Sequence, residues 1–128
     1  DPLAGVIVRA KVDQEQWITA GVPEQVNVLF DGRGIYAPLK QDRGVNAAVF
    51  APPAELLASG YAWEETRKQL ALKPFVMVQN EGRGVVAAFT ADPNFRAFMD
   101  GLNVLFLNAV FRGPVAGGRG GPGGEMER

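Results

Sequence analysis

The chain of 128 residues is 47% hydrophobic and 21% charged, with 13 Lys+Arg against 14 Asp+Glu, the balance of one globular domain that buries roughly 65% of its unfolded surface. It has no His, no Cys, one Ser (Ser59) and three Thr (Thr19, Thr66, Thr90), which excludes a Ser–His–Asp triad, a Cys–His pair, a His-containing zinc site and a thiolate cluster within the chain. A net charge of −1 supplies no long-range field for nucleic acid or anionic lipid, so neither is an expected partner.

The absence of cysteine fits cytosol and periplasm equally. The longest apolar stretch, 95–111, is broken by Arg96, Asp100, Asn103 and Asn108, and predicts no membrane insertion. The chain begins at Asp1-Pro2 without an initiator Met. That fits a processed short protein or a domain cut from a longer polypeptide, and the second is the expectation.

In chain order, Val6, Val8, Ala10 and Val12 alternate with Ile7, Arg9 and Lys11, the period-two signature of a half-buried strand. Residues 26–30 form a second apolar run. Asp31-Gly32-Arg33-Gly34 then predicts a hairpin turn, with residues 35–37 as the returning arm. Residues 45–51 read as another strand, ended by Pro52-Pro53. A short helix is expected over 63–72, with Glu64 placed to pair with Lys68 and Lys73-Pro74 as its stop. Residues 75–79 and 85–90 flank Asn80-Glu81-Gly82-Arg83-Gly84, a clear hairpin whose second arm is apolar enough to be buried on both faces. RGVNAAVFA (43–51) and RGVVAAFTA (83–91) are alike and read as two turn-plus-strand units.

The strongest helix signal covers 93–112. Asp92 is a suitable N-cap and Pro93 a suitable first residue. Phe95, Phe98, Met99, Leu102, Leu105, Phe106, Ala109 and Val110 follow helical spacing, and Gly113-Pro114 closes the run. Leu102 and Phe106 lie mid-stripe, where a sheet should cover them. Leu107 and Phe111 lie off it and are the candidate interface residues. Six glycines fall in residues 115–128, a composition that predicts a disordered tail following one domain over 1–114.

One ordered series of motifs carries a resemblance. It comprises ASGYAWEETRKQL (58–70), Lys73-Pro74-Phe75, Glu81-Gly82-Arg83-Gly84, FTADPNFR (89–96) and GLNVLFLNAVF (101–111). Together these resemble the C-terminal part of bacterial zinc carboxypeptidase-like proteins of the carboxypeptidase A superfamily, where a class I glutamine-amidotransferase-like module follows the peptidase domain. The resemblance spans roughly residues 1–114. It implies an α/β fold (α+β being the alternative), with a mixed sheet, hairpins and a long C-terminal helix, as in part of a flavodoxin-like domain. It further implies a parent that is a zinc exopeptidase, periplasmic or secreted, with the zinc in the parent's peptidase domain. That family's His-x-x-Glu and distant His, and the amidotransferase Cys, have no counterpart in this chain. No catalytic, metal or cofactor residue therefore carries over.

Within Asp92-Pro93-Asn94-Phe95-Arg96, the residues Asp92, Asn94 and Arg96 are candidate ligand-binding groups at the rim of a sheet beside a helix start. The structural alternative makes Asp92 a cap and Arg96 the partner of a nearby carboxylate. Glu64 and Glu65 are adjacent on a helix and diverge by about 100°, which argues against a shared hydrolytic role. Trp17, Tyr36, Tyr61 and Trp63 could build a sugar-stacking platform or simply lid the core. Two functions follow as expectations. One is a non-catalytic accessory domain that contacts the parent's peptidase domain or a second copy of itself. The alternative is a carbohydrate- or peptide-binding module that directs a parent hydrolase to cell-wall material.

Overall fold

Alternation in the first strand sets the layout. The computed structural model describes residues 5–31, 34–93 and 100–118. In β1 (Val6–Val12), Val6, Val8, Ala10 and Val12 are buried, while Ile7, Arg9 and Lys11 turn to the other side. β2 (Gln25–Phe30) pairs antiparallel along its whole length, Val6 opposite Phe30 and Lys11 opposite Gln25. The link between them contains a 3-10 turn, Trp17–Thr19, that buries Ile18 and Thr19. The Thr19 hydroxyl donates within this link, 2.7 Å from the Asp13 carbonyl and 2.9 Å from that of Gln16.

β3 (Val45–Phe50) pairs with the C-terminal half of β1, and β4 (Leu57–Ser59) with its N-terminal half. Between them one helical turn, α1 (Pro53–Leu56), bulges out where Pro52-Pro53 cannot donate to a ladder. Arg9 ties this bulge down: its Nη1 donates to the carbonyls of Glu55 (3.0 Å) and Leu57 (3.1 Å). α2 (Glu64–Leu70) follows, then the hairpin of β5 (Pro74–Glu81) and β6 (Gly84–Phe89). The two similar segments noted above become β3 and β6, which flank β5 on either side. The final element is α3 (Asp100–Gly118).

Every strand pair is antiparallel, in the order β2-β1-β3-β5-β6 with β4 also on β1, and the sheet curls into a half-barrel. This corrects the expected α/β class and its flavodoxin-like architecture. A doubly wound domain needs parallel strands joined by crossover helices. Here the main helix instead lies at the end of the chain and touches both edge strands, β6 and β2, as well as the 3-10 turn. It fills the open side of the half-barrel. The core beneath it includes Phe30, Phe50 and Phe75, joined to Phe89 by ring contacts of 6.1, 5.8 and 6.1 Å across β2, β3, β5 and β6.

Three local expectations also change. The hairpin over 26–37 does not form, because β2 spends its pairing on β1 and residues 34–40 are not a strand; Gly32 and Arg33 lie outside the described residues. That loop folds back so that the Asn46 side chain receives the Leu39 N–H and donates to the Leu39 carbonyl, each at 3.0 Å. β6 is not buried on both faces: it is the sheet's edge, and Val86 is half exposed. Finally, α3 runs through Gly113-Pro114 to Gly118 rather than closing there. Pro114 stands exposed, and without an N–H it cannot donate to the Val110 carbonyl one turn earlier. Residues 94–99 and 119–128, which include the expected first helical turn and most of the expected tail, lie outside the described residues.

Candidate functional site

The seam between α3 and β6 opens into a groove of about 560 Å³. Its sheet wall is Val85, Ala87 and Phe89, which alternate onto the concave side of β6. Its helix wall is Phe106, Val110 and Pro114, and Trp17 of the 3-10 turn closes the base. Gly113 faces the same space: a Cβ there would make ordinary van der Waals contact, 3.8 Å from the Trp17 ring and 3.9 Å from Val85. Arg83 stands at one mouth, exposed.

A buried amide holds the helix against this floor. Asn108 is 8% exposed, and its Nδ2 donates to the carbonyls of Ile18 (2.9 Å) and Ala20 (2.8 Å). Both amide protons are thereby used on the turn that carries Trp17. The sequence reading treated Asn108 only as a break in an apolar run. Its one visible signal was a polar residue three positions after Leu105, on the buried side of the helix.

Helical phase divides the rest of α3. Leu102 and Leu105 point into the core, at 1% and 0% exposure. Phe106, expected to be mid-stripe, is 39% exposed and forms the groove wall instead. The expectation placed the sheet too far around the helix, because the buried side is centred on Leu105 and Asn108. Leu107 is 50% and Phe111 71% exposed, and with Val115 they form an i, i+4, i+8 line facing away from the core.

The other sequence candidates are scattered. Asp92 is exposed just beyond β6, while Asn94 and Arg96 lie outside the described residues. Glu64 and Glu65 stand exposed side by side on α2, and Glu64 is committed to Lys68 at 2.9 Å. The hydrogen bond and charge of Lys68 hold the Glu64 carboxyl below the usual carboxylate range. The four aromatics do not form one platform. Tyr61 and Trp63 meet edge to face, with ring centres 5.2 Å apart and planes at 82°, whereas Trp17 lines the groove and the Tyr36 ring folds back over Gly34.

No group of three His, Cys, Asp or Glu that could hold a metal occurs among the described residues. No described helix is long and apolar enough to cross a membrane. The groove itself is lined by apolar side chains and one guanidinium. Such a lining offers buried area and main-chain hydrogen bonding rather than proton transfer. No protein-family model, no curated protein and no solved structure matches this chain.

Proposed function

We propose that this chain is a non-catalytic interaction module of a zinc carboxypeptidase-like parent and that it seats against the parent's peptidase domain through the outward face of α3. The observation that carries the reading is the line of Leu107, Phe111 and Val115, at least half exposed on a helix whose opposite side is buried. Fully covering a Leu or Phe is worth about 1.5–3 kcal/mol, so an uncovered pair of this size is a natural anchor for a partner. The motif series over residues 58–111 supports the identity of the parent, which would hold the zinc and work in the periplasm or outside the cell. This module contributes contact area and no chemistry.

Titrating the isotope-labelled chain with the parent's peptidase domain tests the reading. Shifts should centre on Leu107 and Phe111, and Leu107→Ser with Phe111→Ser should weaken binding at least tenfold. Saturable binding that neither substitution alters would assign the contact to another surface. An absence of binding would end the accessory-domain reading.

A further inference from the structure

We infer that the open edge of β6 is a self-association edge, pairing antiparallel with β6 of a second copy so that two half-barrels join into one continuous sheet. Among the described residues β6 pairs only with β5. The hydrogen-bonding direction of each β6 residue follows from the ladder. The Thr90 N–H donates to the Phe75 carbonyl on β5 at 2.9 Å. In an antiparallel ladder, direction alternates residue by residue, so Ala88, Val86 and Gly84 also turn to β5. Val85, Ala87 and Phe89 therefore turn their N–H and C=O groups outward.

Exposed edges are ordinarily blunted by charged side chains, proline or a bulge. β6, Gly-Val-Val-Ala-Ala-Phe, has no charge and no proline, and its register with β5 is unbroken from Gly84 to Phe89. The opposite edge strand, β2, carries Gln25 and Asn27, whereas α3 touches both edge strands. Among the described residues, the β6 side combines an unguarded ladder with an apolar groove.

A two-fold axis perpendicular to the sheet fits this edge. Centred on Ala87, it sets Ala87 against Ala87 of the second copy and Val85 against Phe89, so that all three outward-facing residues find partners. It also brings the two groove walls, Phe106 and Val110, toward each other across the axis. The charges are compatible: Arg83 lies four residues from the centre, which keeps the two guanidinium groups about 27 Å apart along the strands. A six-residue strand edge with one helix flank covers on the order of 1,000 Å² in total, the lower end for a specific interface. An interface of that size belongs to the weak, transient class, so a concentration-dependent dimer is expected rather than a permanent one. This surface uses other residues than the Leu107–Phe111 line, and pairing through it does not depend on that line's role.

Sedimentation equilibrium of the full chain, from about 1 µM to about 1 mM, tests the inference together with amide exchange at both ends of that range. The expected result is a monomer–dimer equilibrium in which the amides of Val85, Ala87 and Phe89 exchange more slowly as concentration rises. Ala87→Pro removes an outward N–H from an edge strand, where proline is tolerated, and should weaken association at least tenfold. Should Ala87→Pro fail to fold, the exchange of those three amides in the unmodified chain decides the matter. A monomer throughout the range, a dimer that leaves those amides unprotected, or a dimer lost in Phe111→Ser but kept in Ala87→Pro would each overturn the assignment.

Discussion

Replacing Asn108 probes how the helix that closes the half-barrel is held. Its Nδ2 lies 2.9 and 2.8 Å from two carbonyls of the Trp17 turn, and the side chain is 8% exposed. Each such bond is worth about 1 kcal/mol net, and a carbonyl left dry costs about 1–3 kcal/mol. Asn108→Ala should therefore destabilise the chain by about 2–4 kcal/mol. That is a lowering of the melting temperature by roughly 8–15 °C for a domain of this size. Asn108→Asp keeps the shape but at neutral pH offers no proton to either carbonyl. Burial and the two facing carbonyl dipoles raise the folded-state pKa of the new carboxyl above its unfolded value of about 3.9. The folded state then favours the protonated form, so the penalty is smallest at acidic pH and grows as pH rises past the unfolded value. Urea melts of Asn108→Asp and the unmodified chain should diverge between about pH 4 and pH 7. A loss below about 0.5 kcal/mol for Asn108→Ala, or a gap for Asn108→Asp that ignores pH, would refute the clamp.

Other outcomes follow from burial and geometry. Leu105→Ala, at a fully buried site, should cost about 2–5 kcal/mol, whereas Phe106→Ala, in an open groove wall, should cost about 1–2 kcal/mol; a larger loss for Phe106→Ala than for Leu105→Ala in denaturant melts would contradict the helical phase. Gly44→Ala places a Cβ 2.4 Å from the Val78 carbonyl oxygen, and the backbone shift this forces should cost at least about 2 kcal/mol. Lys68→Ala should raise the Glu64 pKa toward the ordinary carboxylate value when followed by carboxyl NMR. Because Glu64 is held below that value when folded, the contact favours the folded state above the unfolded pKa and loses its effect as pH falls through the lowered one. Zinc analysis of the isolated chain after chelation and reloading should find no stoichiometric metal, since His and Cys are absent.

Much was legible in the residues alone because it depends on local geometry. Alternation in β1, the Asn80–Gly84 turn between β5 and β6, the Glu64–Lys68 pair and the apolar spacing of α3 all reflect neighbours within a few positions. The exclusion of a Ser–His–Asp triad, a Cys–His pair and a His-containing zinc site was equally plain, since missing His and Cys cannot be supplied by folding. Pairing partners were another matter. β2 pairs backward with β1 rather than forward across Asp31, and nothing local to residues 26–37 distinguishes the two. The apolar run 85–90 fits a central strand as well as an edge strand beside a helix, because hydrophobicity records burial and not what does the burying. The α/β expectation, with its mixed sheet, came instead from the motif resemblance over residues 1–114, which does not record how strands pair. The candidate site was less visible still. Asn108 meets Ile18 and Ala20 across nearly the whole chain, and the groove exists only because α3 docks with Leu105 inward and Phe106 to the side. Sequence periodicity sets which helix residues share a stripe. Only docking against β6, β2 and the Trp17 turn decides where that stripe is centred, because the phase of a helix is set by the shape of the surface it covers.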